Sequence, residues 1–184
     1  MTAMQRPWAA EIIHFWFHKL SPSDWFGPTE AVDAALRERF EPELLALHGQ
    51  PASRFLNDPQ IALAAVLLFD QIPRNIYRGS ARSFFFDHRA REICRGALAA
   101  GFDAALSQHQ RQFLGMPLMH SENIADQLLS KRYFTQLNLP VVRRFAEEHY
   151  AMIARFGRFP HRNTVLGRES SDQEKRAVEA GFAW

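Results

Sequence analysis

The chain has 184 residues, 47% of them hydrophobic and 23% charged, with 16 Phe, 4 Trp and a net charge of +2. These values exclude a disordered polymer, which is poor in aromatic side chains, and a dedicated nucleic-acid binder, which shows a basic stripe and a larger excess. The single Cys94 rules out an intramolecular disulfide, which suits a reducing compartment, and it reads as a small core residue.

Met1–Trp8 has no basic-then-apolar leader pattern. The longest apolar run, Ile61–Phe69, falls far short of the roughly 20 residues of a membrane span. A cytoplasmic protein with no membrane partner is expected. The charge is uneven: −3 over residues 1–60, +3 over 61–135 and +2 over 136–184. Nineteen of the 22 basic residues are Arg, whose planar fork suits carboxylates and phosphates.

Trp8–His18 predicts a first helix, ended by Ser21-Pro22-Ser23-Asp24. Thr29 can cap a second from Glu30, with Val32, Leu36 and Phe40 at helical spacing. Pro42 is expected to interrupt or kink it. Asn57-Asp58-Pro59 is a helix start, and Gln60–Gln71 is apolar on almost every face, the pattern of a helix in mid-core. Pro73 is expected to end it. Phe84–Ala100 follows, stopped by Gly101. Ser107 can cap a short helix through Leu114, which Gly115-Met116-Pro117 should break. Ser121–Leu137 is read as the next helix, with Ile124, Leu128 and Leu129 on one face. Pro140 begins another to about Phe156. Gly157–Gly167 is irregular, and Ser171-Asp172 caps a last short helix. No segment alternates as a strand does. The reading is a single all-α domain over residues 1–184, built of about eight helices in antiparallel pairs; no 34-residue repeat signature is visible.

Three segments carry chemistry. Asp70-Gln71-Ile72-Pro73-Arg74-Asn75-Ile76-Tyr77-Arg78-Gly79 lies at the end of the most apolar helix. Gly115-Met116-Pro117-Leu118-Met119-His120-Ser121-Glu122 places a His, which titrates near neutrality, beside a carboxylate at a helix start. Arg155 through Arg168 holds four Arg and His161 with no acidic residue, and includes Phe159-Pro160-His161-Arg162-Asn163. The first and third share Pro, Arg-Asn and a Gly-Arg or Arg-Gly pair, and each is read as a rigid helix-ending turn presenting Arg.

Together, Leu68–Gly79, Met116–Glu122 and Arg155–Asn163 resemble the bacterial "domain of unknown function 924" family. The resemblance runs from Phe15-Trp16-Phe17 and Trp25-Phe26 to Leu166-Gly167-Arg168-Glu169-Ser170. Gly115-Met116 departs from it, standing where a Tyr-Leu-like pair is expected. The resemblance implies a short tetratricopeptide-like α-α superhelix and implies no activity.

The candidate ligand-binding residues are Asp70, Arg74, Asn75, Arg78, His120, Glu122, Arg158, His161, Arg162 and Asn163. They are expected to line a polar cavity for a small anionic ligand or an acidic peptide terminus. The alternative is a helical-repeat interaction scaffold, in which Asp70, Arg74, Arg78, Glu122, Asp126, Arg158 and Arg162 form structural ion pairs. His120 and Glu122 stand two apart and His149 and His161 twelve apart, so no helical metal-ligand spacing exists and no metal is expected. No Ser-His-Asp order, Walker loop or dinucleotide fingerprint is present, so binding rather than catalysis is expected, with no cofactor. Association into a homo-oligomer is left open.

Overall fold

The computed structural model of the protein describes residues 6–27 and 29–182; residues 1–5 of the segment searched for a leader lie outside them. Among the described residues there are nine helical stretches and no strand. They are α1 (7–19), α2 (Pro22–Phe26), α3 (Glu30–Leu47), α4 (59–76), α5 (Asp87–Ala99), α6 (Gln108–Met119), α7 (Ile124–Gln136), α8 (Pro140–Phe156) and α9 (Asp172–Glu179). The fold is all-α. The described residues fall into two compact units, one within Met1–Arg78 and Arg82–Pro117, the other within Gly79–Ala81 and Leu118–Trp184. No helix among them is long and apolar enough to cross a membrane.

The first unit is organised around α4. Every residue from Ile61 to Phe69 is fully buried, as an all-round apolar helix requires, and α1, α3 and α5 pack against it. Asp58 starts it by accepting from the N–H groups of Gln60 and Ile61 at 2.8 and 3.1 Å. Cys94 is buried on α5. Pro73 does not end α4. Residues Leu67–Gln71 form a π-helical turn, and the α-helix resumes over Ile72–Ile76 with Pro73 in its first turn. The proline ring clashes with the carbonyl four residues back and offers it no donor. The wider turn, in which the Ile72 N–H reaches the Leu67 carbonyl, absorbs that defect.

Two other proline readings are corrected. Pro42 sits inside a continuous α3, on its exposed side, where the carbonyl it cannot bond is able to face water. Gly115-Met116-Pro117 is buried inside α6, which runs to Met119; packing overrides the weak propensity.

In the second unit α7 packs on α8. The helix read as Ser121–Leu137 begins at Ile124, and Asn123 caps it, accepting from the Ala125 N–H at 2.8 Å. The Ser121 hydroxyl donates to Asp126 at 2.6 Å. The face of α7 that carries Ile124, Leu128 and Leu129 is turned outward: the three are 44%, 43% and 37% exposed. Its inner face buries Asp126, Gln127 and Ser130 ahead of Tyr133 and Phe134. Part of this polar inner face is held by bonding, from Asp126 and the Gln127 amide nitrogen. The Gln127 side-chain amide donates to the carbonyls of Met119 and Ser121, both at 2.7 Å, which closes the end of α6. Gly157 ends α8 at φ 69°, a conformation that a side chain disfavours. Beyond it, Pro160–Arg162 form one 3-10 turn, and Ser171 with Glu174 makes a capping box for α9. Met152, Ile153, Phe159 and Ala177 are the apolar centre.

Candidate functional site

In the first unit the sequence motif Asp70–Gly79 is mostly helix rather than turn, so Asp70 and Arg74 stand one helical turn apart and pair at 3.2 Å. The second fork nitrogen of Arg74 and its neighbour clasp Asp87 at 3.0 Å each, and the same group reaches the Asp70 carbonyl. Burial works against the guanidinium charge, yet Asp70 and Asp87 hold its pKa above the usual value. Asn75 and Arg78 converge on one carboxylate, Asp33 on α3, at 2.9 Å for the amide and 3.1 Å for both Arg nitrogens. Tyr77 donates to Glu41 at 2.7 Å; burial, reinforced by that carboxylate, pushes its hydroxyl up to about 12. This half of the candidate set tacks α4 to α3 and α5.

In the second unit Arg158 forks onto Glu174 at 2.7 and 3.0 Å, while the Asn163 amide reaches Ser170 and Glu174. The Arg158 bond holds the Glu174 carboxyl down at about 2. Glu122 is clasped by Arg168 at 2.8 and 3.0 Å and accepts the Phe159 N–H at 2.8 Å. Burial raises the pKa of Glu122, but these three donors win and lower it. Two of the four Arg between positions 155 and 168 therefore draw their acids from outside their own segment: Glu174 for Arg158 and Glu122 for Arg168.

The remaining residues gather at one ring. Arg162, 6% exposed, lies over Phe159 with its guanidinium carbon 4.5 Å from the ring centroid. His161 and His149 stand at 5.6 and 5.4 Å from that centroid, and His120 lies 6.4 Å from His149. Two imidazoles and a guanidinium thus flank a buried phenyl ring, with a third imidazole, His120, beside His149. His149 Nδ1 is 2.8 Å from the Phe145 carbonyl, which can only accept, so Nδ1 carries the proton and Nε2 the lone pair. Burial, then the neighbouring His120, Arg162 and His161, push His149 down to about 3, against the Phe145 bond. Burial, then Arg162, His120 and Arg168, bring His161 to about 4, with Glu122 opposing them. Both rings are neutral at physiological pH, inside a field that disfavours a further positive charge.

Beside this cluster lies a groove of about 480 Å³, lined by Glu122, Asn123 and Ile124 at the start of α7 and by Ile153, Ala154 and Gly157 at the end of α8. Glu122 belongs to both features: it lines the groove and takes the Phe159 N–H. The structure thus brings Asp70 with Arg74 and Asn75 with Arg78 in one unit, and His120, Glu122, His161 and Arg162 in the other. Arg158 and Asn163 meet on Glu174. Sequence reasoning missed Asp33, Asp87 and Glu174 as the anchoring acids, and His149 and Phe159 as members of the ring cluster. Glu174 had a signal, the Ser171-to-Glu174 capping spacing; Asp33 and Asp87 had none, because they meet their arginines only through tertiary packing.

A family model described as "Bacterial protein of unknown function (DUF924)" matches residues 12–181. A protein of unknown function from Agrobacterium tumefaciens, ATU0120, has a solved structure similar to this one, with a TM-score of 0.90 and 36% sequence identity. The similarity covers 96% of this chain and 99% of that one. No curated protein matches. The chain belongs to the family of bacterial proteins of unknown function DUF924.

Proposed function

We propose that this protein binds a small oxyanion, a carboxylate or phosphate group, at the His120–His149–His161–Arg162 cluster of its second unit. One observation carries the reading: His149, His161 and the buried Arg162 guanidinium flank the Phe159 ring, with His120 beside His149. A low-dielectric environment strengthens every charge interaction within it. An incoming anion adds negative charge beside two histidines pressed toward neutrality, which favours their protonation. Binding is therefore coupled to proton uptake, and affinity rises as pH falls from neutrality, by at most about tenfold per pH unit for each proton taken up. Glu122 does not cancel the site, since its charge is already held by Arg168 and the Phe159 amide. Arg74, Arg78 and Arg158 serve as ties between elements and take no direct part.

Sulfate, whose charge is constant between pH 8 and 5, is the probe. Titrated into protein labelled for imidazole resonances, it is expected to move His149 and His161 and to raise their apparent pKa. Arg162→Gln should abolish both effects. Sulfate that leaves these rings unmoved at millimolar concentration sinks the reading.

A further inference from the structure

His14 and His18 stand four residues apart on α1, so both imidazoles rise from one face of the helix. The helical spacing that His120, Glu122, His149 and His161 lack is present here. Both rings are exposed, and their centroids lie 5.5 Å apart with the planes 25° from parallel. The pair straddles the point where α1 passes from α-helix into the π turn Phe15–Lys19, a wider turn of a kind that recurs at functional sites. Glu11, one turn earlier on the same face, brings a half-exposed carboxylate whose only ion pair is a surface contact with Arg39 at 3.3 Å. The neighbouring cations, Lys19 and Arg39, are exposed, where water and salt screen them.

We propose that His14 and His18 chelate one divalent transition cation of the kind that favours imidazole nitrogen, Zn²⁺, Ni²⁺ or Cu²⁺. The ring separation carries the argument. With a metal–nitrogen bond of about 2.0 Å and a ring nitrogen about 1.1 Å from its centroid, a ligating imidazole has its centroid about 3.1 Å from the cation, so two of them at a tetrahedral angle stand about 5 Å apart. The observed 5.5 Å is close to that spacing. Exposed imidazoles close the remainder by turning about χ2, a soft torsion, without disturbing the core. Among the described residues no third His, Cys, Asp or Glu joins them in a cluster. Water therefore fills the remaining positions, and the site is open rather than closed as structural zinc sites are. It belongs to the first unit and goes beyond the anion reading, and neither depends on the other.

The test uses the full-length, untagged protein titrated with Zn²⁺ alone and followed at the imidazole resonances of its 8 histidines. His14 and His18 should move together, ahead of the other rings, and saturate at one equivalent. His14→Gln and His18→Gln, both at exposed positions, should each weaken Zn²⁺ binding at least tenfold, because a single imidazole forms no chelate. His88→Gln, which removes a solitary exposed imidazole, should leave it unchanged. Cu²⁺ should bind the parent more tightly than Zn²⁺ does, and Mg²⁺, which takes oxygen ligands, should leave both rings unmoved. Zn²⁺ that moves other histidines first, or that binds either single variant as well as the parent, overturns the inference. So does an equal response to Mg²⁺, which would place the cation on carboxylates instead.

Discussion

Arg74 holds two carboxylates at once, and one of them, Asp70, is fully buried. Removing the guanidinium leaves that charge stranded, so Arg74→Met is expected to cost about 3–5 kcal/mol in urea unfolding. Arg78, whose side chain is 48% exposed on Asp33, should cost under about 1 kcal/mol when changed to Ala. Comparable losses for the two would contradict the burial argument. His149 and His161 set a second expectation, in pH. Both have folded-state values below their ordinary 6.5, at about 3 and about 4. Below pH 6.5 the unfolded chain takes up protons that the folded chain refuses. Stability therefore falls between pH 6.5 and about 4, by up to about 1.4 kcal/mol per pH unit for each ring, and levels below the folded values. Urea midpoints measured at pH 7 and 5 check this. His149→Phe should flatten the slope, and an unchanged slope would show that the ring is not held neutral.

At the scale of elements, the most informative features are the places where local rules lose to packing. A proline-bearing motif folds as helix because a π turn precedes it in α4 and because the surrounding core fixes nine consecutive apolar residues. No local pattern in Leu67–Gln71 announces that turn. Helix starts built from local chemistry were legible: Thr29, Asp58 and Ser171 all cap as their side chains suggest. The helix read as starting at Ser121 starts at Ile124, because the Ser121 hydroxyl bonds Asp126 and Asn123 supplies the cap. The orientation of α7 was illegible for a related reason. Ile124, Leu128 and Leu129 look like a core face until Gln127 is seen closing α6 with its amide. Two element-level predictions follow from the caps. Ser171→Ala should lose about 1 kcal/mol by unbinding the first turn of α9. Gly157→Ala should lose about 1–2 kcal/mol, because it forces a Cβ into the left-handed region. Thermal unfolding of each variant beside the parent measures both.

For the whole molecule, the helical class was readable from periodicity and from proline and glycine punctuation, and the motif resemblance marked the family that the comparison with known proteins then showed. The candidate site was legible in part. The sequence singled out Arg74, Arg158 and Arg162 as one kind of residue, but geometry separates them. Arg74 and Arg158 fork onto carboxylates, and Arg162 also lies over an aromatic ring beside histidines. Partners such as Asp33, Asp87 and Glu174 come from distant segments, and no spacing rule reaches them. What emerges is a scaffold whose ion pairs hold helix ends in place and whose second unit concentrates imidazoles at one point. The most direct test of that account is a sulfate titration followed at the His149 and His161 rings at pH 7 and pH 5.5. The account predicts saturable shifts of both rings, tighter binding at the lower pH, and loss of both in Arg162→Gln. Rings that stay unmoved at either pH, or affinity that does not change between them, would contradict it.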